Sequence, residues 1–346
     1  MQQWIKEIAR GKRGSNDLTY EQAKQAAEEI ATGKATDAQV AAFFIAQRLK
    51  TEMPEELLAF VHVFSDLTKK LTLTEEIKTR TIDFASPYAG RNSFFATIPV
   101  SLLLAERGIP AFLHCSDALP PKYGVTIADV LNELSVHTVK DSQAIADDIT
   151  QERIGFANVE QFSPPLSTVK HIRHEIGVRT FLNTAEKLLN ISGASSIMMG
   201  AFHRTAINKI APIFKDLSYD NVYIVQGIEG SEDVPVHRNS FVYKITNGEM
   251  ESFIVSPKEY GVYVEEERFN KKIPVQKQAQ MIEALLTGEN YEELTYAYNQ
   301  VVFNAGLRYY LFGYDDSIEA GMNYAKEQLK TKVGYEKLLQ WRNRRN

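Results

Sequence analysis

Four sets of residues in this chain have types and spacing that could do chemistry. Arg91 and Asn92 sit in a polar, glycine-containing loop, 86–93, between an alternating stretch and an apolar helical run. A cation and an amide on such a loop suit a phosphate, because open parallel sheets bind ligands outside the carboxyl ends of their strands. His114 ends the next apolar stretch and opens a second loop, 114–123. A histidine there can contact a ligand or simply bond a neighbouring carbonyl. Arg173 lies in a helical stretch and can meet a carboxylate or phosphate, or pair with Glu175 or another acid. Glu232 and Asp233 are adjacent carboxylates in a loop, oxygen ligands of the kind magnesium takes, or an ordinary solvated pair.

The elements that must position these residues can be read from periodicity. Residues 81–85 alternate and predict a strand; 96–105 predict an apolar helix stopped by Gly108; 109–114 predict a second buried strand. That is a βαβ unit. Ahead of it, residues 1–70 carry only helical patterns. Trp4, Ile5 and Ile8 share one face of a first helix. Thr19 with Gln22, and Thr36 with Gln39, have the spacing of capping boxes opening two more, and Pro54 suits the first turn of another. Residues 68–79 are charged and read as a hinge or linker. These helices carry more apolar surface than they can bury among themselves, so a covering surface is expected, from the other domain or from a second subunit.

Beyond the βαβ unit, helices are predicted over 127–134 and 141–149, a short strand over 136–138, a strand over 154–156 and a proline-containing loop over 160–166. The period then changes. Residues 168–189 form a long helical stretch broken near Gly177, placed back against the N-terminal helices. Strands follow at 196–200 and 221–226 with a helix over 204–217 between them. Two antiparallel strands, 240–245 and 250–255, turn at Asn247-Gly248. Helices over 274–286, 291–311 and 317–330 and a basic segment over 335–345 complete the chain. The expected fold is α/β: a small N-terminal all-helical domain plus a large α/β domain with a mostly parallel central sheet flanked by helices. The expected division is 1–72, joined by helices of about 166–190, against 73–165 and 191–346.

Bulk properties narrow the function. With 39 Lys+Arg against 44 Asp+Glu the net charge is -5, so a protein-wide basic field is absent. Nucleic-acid binding would need local patches, and basic residues do recur: Lys6, Arg10, Lys12 and Arg13, then 170–179, then 342–345. The single Cys115 excludes an intramolecular disulfide and a multi-cysteine metal site. No apolar run approaches membrane-spanning length and no leader pattern is visible, which makes a cytoplasmic protein the expectation.

The order of elements resembles the anthranilate phosphoribosyltransferase family over nearly the whole chain. The segments that carry the likeness are DLTYEQAKQAAEEIATGKATDAQVAAFFIAQRLKTEMPEEL, IRHEIGVRTFLN with its Arg173 and Arg179, and VVFNAGLRYYLFGYDDSIEAGMNYAKEQL. The resemblance implies a homodimer through the helical domain and a phosphoribosyl-pyrophosphate site with magnesium in the large one. Position by position, the site departs from the family pattern. Its Gly-Thr-Gly-Gly-Asp turn is matched by Ser86-Pro87-Tyr88-Ala89-Gly90, and of its Asn-x-Ser-Thr only the hydroxyl of Thr97 survives. Its Lys-His-Gly-Asn loop is matched by Leu113-His114-Cys115-Ser116, keeping the histidine and losing the lysine. A Gly-Pro pair beside the acceptor slot is matched by Glu186-Lys187, which introduces a cation. Arg173 falls where the family's arginine meets the acceptor carboxylate, and Glu232-Asp233 where its metal-binding Asp-Glu pair lies, in reversed order.

Two readings follow. The chain is also similar to a divergent branch of this fold that keeps the dimer, lacks these motifs and binds nucleic acid. On that reading it has lost phosphoribosyl transfer and binds single-stranded DNA or RNA. Its ligand-binding residues are Arg91, Asn92, Thr97, His114, Arg173 and Lys187, and no membrane or cofactor is involved. On the other reading it is an active phosphoribosyltransferase acting on anthranilate or another aromatic acid, with magnesium at Glu232 and Asp233.

Overall fold

The structure, a computed structural model, describes the chain except for Lys12, Pro87, 266–271, 290–291 and 345–346. Lys12, Pro87, Tyr291 and Arg345, which entered the sequence reading, therefore lie outside the described residues.

The N-terminal helices are α1 (Gln2–Ile8), α2 (Tyr20–Ala31), α3 (Asp37–Lys50) and α4 (Pro54–Asp66). Both capping boxes form. Thr19 and Gln22, then Thr36 and Gln39, exchange side-chain and backbone bonds, which meets donors that a helix start leaves open. Pro54 takes the first turn of α4, where no N–H is needed. The apolar surplus of these helices is covered from within the chain. Phe181, from the segment after helix Pro164–Ile176, packs edge-on against Phe43, Phe44 and Phe60, with ring centroids 6.5, 5.7 and 4.7 Å away. Part of the covering surface is thus the chain's own returning segment, while Leu49, Met53 and Leu67 remain exposed on these helices and their caps.

Among the described residues, strands β1 (Ile82–Ala85), β2 (Ala111–Cys115), β3 (Ile154–Asn158), β4 (Ser196–Gly200), β5 (Asn221–Val225), β6 (Ser240–Thr246) and β7 (Glu249–Val255) form one sheet in the order β3-β2-β1-β4-β5-β6-β7. The first five run parallel; β6 and β7 add an antiparallel hairpin at the edge, turning at Asn247-Gly248 with φ of 52° and 78°. β1 to β4 are buried almost end to end, as expected of strands covered on both faces. The strand order reverses between β1 and β4, and that switch point is where a crevice for ligand is expected.

Three local expectations need correction. Residues 68–79 are not simply a linker, because Glu75–Arg80 is a short helix capped by Thr74. Residues 136–138 are not a strand. Residues 160–166 are not a loop: Val159–Phe162 is helical, and Pro164 and Pro165 begin the helix Pro164–Ile176, in the positions where proline costs least.

Candidate functional site

Every sequence-predicted residue except Arg173 and Lys187 belongs to a loop, a helix start or, for His114, a strand end at the carboxyl edge of the sheet. Backbone contacts bring the first two loops together. Arg91 and Val125 exchange N–H···O bonds of 2.9 and 3.0 Å, and the Gly124 N–H donates to the Ala89 carbonyl at 3.0 Å. Gly90 makes this possible. Its φ is +72°, and a Cβ there would lie 2.5 Å from the Gly124 carbonyl carbon.

At the switch point the crevice is occupied by the chain's own charges. Arg91 Nη2 donates to Asp233 Oδ2 at 2.5 Å and to the Phe94 carbonyl at 2.7 Å. Arg308 Nη2 donates to Asp233 Oδ1 at 2.9 Å, and the Thr97 N–H to Asp233 Oδ2 at 3.0 Å. Ser86 Oγ donates to Glu232 Oε1 at 2.6 Å. Arg91, Arg308, Glu232 and Asp233 are all 0 % exposed. The two guanidinium groups also lie over rings, Arg91 at 4.0 Å from the centroid of Phe95 and Arg308 at 4.4 Å from that of Phe84. Burial alone would raise the Glu232 carboxyl, but Arg91 and Arg308 outweigh it and hold it below the ordinary value.

A second buried chain of bonds fills the space beside it. The Tyr88 hydroxyl meets His114 Nδ1, and His114 Nε2 is 2.6 Å from Asp83 Oδ1. The Asp83 carboxylate can only accept from that nitrogen, and the Tyr88 hydroxyl donates to the Glu186 carbonyl at 3.3 Å. Burial pushes the Tyr88 hydroxyl well above its ordinary pKa, so it stays protonated as that donor requires. His114 is therefore a strand-end histidine held inside the protein, not a group offered to a ligand.

Arg173 and Lys187 sit behind these loops. Arg173 Nη1 donates to Glu186 Oε2 at 2.5 Å, while its Nη2 and Glu186 Oε1 are buried without partners. The ion pair is thus with Glu186, not Glu175. Lys187 is 5 % exposed and has no hydrogen-bond or ion-pair partner among the described residues. Burial, then the charge of Arg179, pushes its amine down to about 8, against the pull of Glu232 and Glu186.

Asn92 does turn toward an anion, but the anion is Glu229. The N–H groups of Asn92 and Ser93 donate to Glu229 Oε1 at 2.9 and 2.7 Å, and the Lys122 ammonium pairs with the same carboxylate. Sequence reasoning missed Glu229, Lys122, Asp83 and Arg308. Arg308 left a signal, as an arginine in the last turn of a helix, Thr295–Leu311, that is otherwise largely buried.

Magnesium does not fit this arrangement. Both oxygens of Asp233 already accept from guanidinium groups, and two buried positive charges beside the pair oppose a divalent cation. Among the described residues no group of three or more His, Cys, Asp or Glu could hold a metal ion. Arg91 and Arg308 pair with Asp233, which opposes a metal at that carboxylate, while Glu232 Oε2 and the Nε and Nη1 atoms of both arginines are buried without partners.

The helical bundle and the doubly covered, mostly parallel sheet define a two-part α/β protein. Residues 2–67 match the glycosyl transferase family helical bundle domain, and residues 89–333 match the a/b domain of the same family. The chain belongs to that family. It is 25 % identical over 337 residues to anthranilate phosphoribosyltransferase of Persephonella marina, covering 97 % of this chain and 96 % of that protein. It is equally 25 % identical to an uncharacterized protein of Aquifex aeolicus, over 95 % of this chain and 98 % of that one. Among solved structures, anthranilate phosphoribosyltransferase from Thermus thermophilus superposes with a TM-score of 0.79 at 22 % identity, each chain covered to 98 %. The enzyme from Saccharomyces cerevisiae in complex with PRPP and Mg superposes with a TM-score of 0.82 at 16 % identity, covering 99 % of this chain and 97 % of that one. These likenesses fix the fold. Among the described residues no helix is long and apolar enough to cross a membrane.

Proposed function

We propose that this protein no longer transfers phosphoribosyl groups and instead binds a phosphate-rich ligand, single-stranded nucleic acid, as a homodimer joined through its N-terminal helices. The observation that carries the first part is the Asp233 carboxylate clamped between Arg91 and Arg308 in the crevice where substrate would bind. A sugar diphosphate with its metal needs open backbone donors and free carboxylates there.

The choice of ligand is supported by groups outside that crevice. Tyr123 is 47 % exposed and its ring stacks on His174, with centroids 5.7 Å apart and planes at 26°. An exposed ring of that kind can carry a base irrespective of sequence. Arg48 bonds the Arg179 carbonyl, and both side chains are exposed. Others expected to contribute are neutralised internally: Lys170 by Asp117 and Glu160, and Arg173 by Glu186. Phe94, Phe95 and Tyr88 are core residues.

The test is a salt titration of binding to a labelled single-stranded oligonucleotide, run with sedimentation to read the assembly state. Affinity that falls with salt, and about tenfold further with Tyr123→Ala, is the expected result. No binding at low salt, or binding indifferent to salt, removes the reading. An alternative is favoured by the unpartnered Nη2 of Arg173, which lies where the family's resemblance places an acceptor carboxylate. Magnesium-dependent formation of phosphoribosyl-anthranilate, abolished by Arg173→Ala, would establish that alternative.

A further inference from the structure

We infer that the outer edge of β7 is a docking surface for a second copy of this chain, the two strands pairing antiparallel about Ser252 so that the sheet continues from one copy into the next. Neither the N-terminal helices nor a ligand takes part, so the edge is independent of the function proposed above. β7 is the outermost strand of the sheet, and among the described residues no strand pairs with its outer side. The bonds of β6 decide which of its groups face outward. The Phe241 carbonyl accepts from the N–H of Gln226, just past β5, at 3.0 Å, so the backbone polar groups of Phe241 point to β5. Ile254 lies opposite Phe241 in the hairpin, and its own N–H and carbonyl therefore point away from β6. Alternation along the strand gives Ser252 and Met250 the same outward direction.

The strand holds no proline, lysine or bulge, which are usual means of blunting an edge. The side chains along it are apolar and open: Ile254 is 53 % exposed, Phe241 40 % and Phe253 38 %. Its two carboxylates decide which partner fits, because the strand is its own complement. Pairing about Ser252 sets Glu251 against Phe253 of the second copy, Met250 against Ile254 and Glu249 against Val255, so no carboxylate meets another. Pairing about Glu251 would set that residue against itself, with like charges directly opposite. Pairing about Phe253 would leave Glu249 and Met250 outside the ladder. In the Ser252 register, Ser252 exchanges both of its outward bonds with its own counterpart, and Met250 exchanges its pair with Ile254. Phe241 and Ile254 of one copy then share a face with Met250 of the other, closing apolar surface that the single chain leaves open. Glu251 is balanced within its own chain by Lys244, which lies opposite it in the hairpin.

Two single variants of the full chain, Glu251→Cys and Phe253→Cys, test the register; the native Cys115 is buried and gives no background. In this pairing the two positions oppose each other as a non-hydrogen-bonded pair, with Cα atoms about 4.5 Å apart and within reach of a disulfide. Each position lies diagonal to its own counterpart, about 7–8 Å away and beyond that reach. An equimolar mixture under mild oxidation should therefore give a cross-linked dimer, and each variant alone at least about tenfold less of it. Adding Ser252→Pro to both removes the central outward N–H, which the single chain does not use. The fold should then persist by circular dichroism and melting, while cross-linking falls about tenfold with the loss of the two central bonds. Equal cross-linking in the mixture and in the single variants, or cross-linking that Ser252→Pro leaves unchanged, overturns the proposal. No cross-link in the mixture overturns it too and leaves the edge to solvent or to an extended segment of another protein. A dimer that sediments in wild type and in Ser252→Pro alike, without cross-linking, is joined through another face, which separates failure here from failure of the dimer through the N-terminal helices.

Discussion

At the scale of single residues the decisive feature is a carboxylate with three donors. Asp233 accepts from Arg91, from Arg308 and from the Thr97 N–H, all inside the protein. Replacing it with asparagine keeps the volume and removes the charge, leaving two buried guanidinium groups with only Glu232 to balance them. Breaking a buried pair by deleting one partner costs about 3–5 kcal/mol, so Asp233→Asn should lower the urea midpoint by that equivalent with the slope unchanged. A loss under about 1 kcal/mol, the range of surface pairs, would mean that the arginines find other partners. The sequence disclosed this cluster only in part. Glu232 and Asp233 stood out as an acidic pair, and Arg91 as a cation in a loop. Nothing local shows that residues 142 positions apart meet; that follows from the order of β1, β4 and β5, which residue types do not encode.

At the scale of elements, legibility followed the range of the interaction. Capping boxes at Thr19 and Thr36, the Pro54 start and the Asn247-Gly248 turn act over three residues or fewer, and all are present. The 136–138 strand failed because a stretch of three residues, Val136-His137-Thr138, says nothing about a pairing partner. The 160–166 loop failed because proline reads as a breaker unless it falls in a first turn, and here it does. The crossing of the two loops at Gly90 and Gly124 was equally hidden, since close approach depends on both strands at once. It is testable. Gly90→Ala puts a methyl against the Gly124 backbone and forces a left-handed residue, a combined cost of about 2–4 kcal/mol. Gly11→Ala is the control: its φ is +82°, but nothing lies within 4 Å of the added carbon. Strain alone should cost it about 1 kcal/mol. Equal losses in the two variants, read from denaturant curves, would show that the loop crossing contributes nothing.

At the scale of the whole molecule, buried ionisable groups shape the response to pH, and two of them act with opposite sign. The Lys187 amine is pushed from its ordinary 10.5 down to about 8 by burial and Arg179. Below pH 8 it is charged in both states, and the folded protein bears the cost of enclosing that charge. Between about 8 and 10.5 the folded state has released the proton while the unfolded chain still holds it. The unfolded state then binds more protons, so stability rises with pH across this window. The Tyr88 hydroxyl works the other way. Burial raises it well above 10.0, so above pH 10 the unfolded chain ionises first, binds fewer protons, and stability falls. The melting temperature should therefore climb from pH 8 toward 10 and drop beyond it. Lys187→Met separates the two effects. It removes an enclosed charge at similar volume, which should add about 1–3 kcal/mol at pH 7. It should also reduce the climb, to which Lys70 and Lys122, likewise pushed down to about 8 by burial, contribute, and leave the fall above pH 10 in place. Melting curves of wild type and variant that run parallel from pH 8 to 10 would mean that Lys187 reaches solvent or a counter-ion, and that its surroundings are more open than the neighbouring buried ion pairs imply.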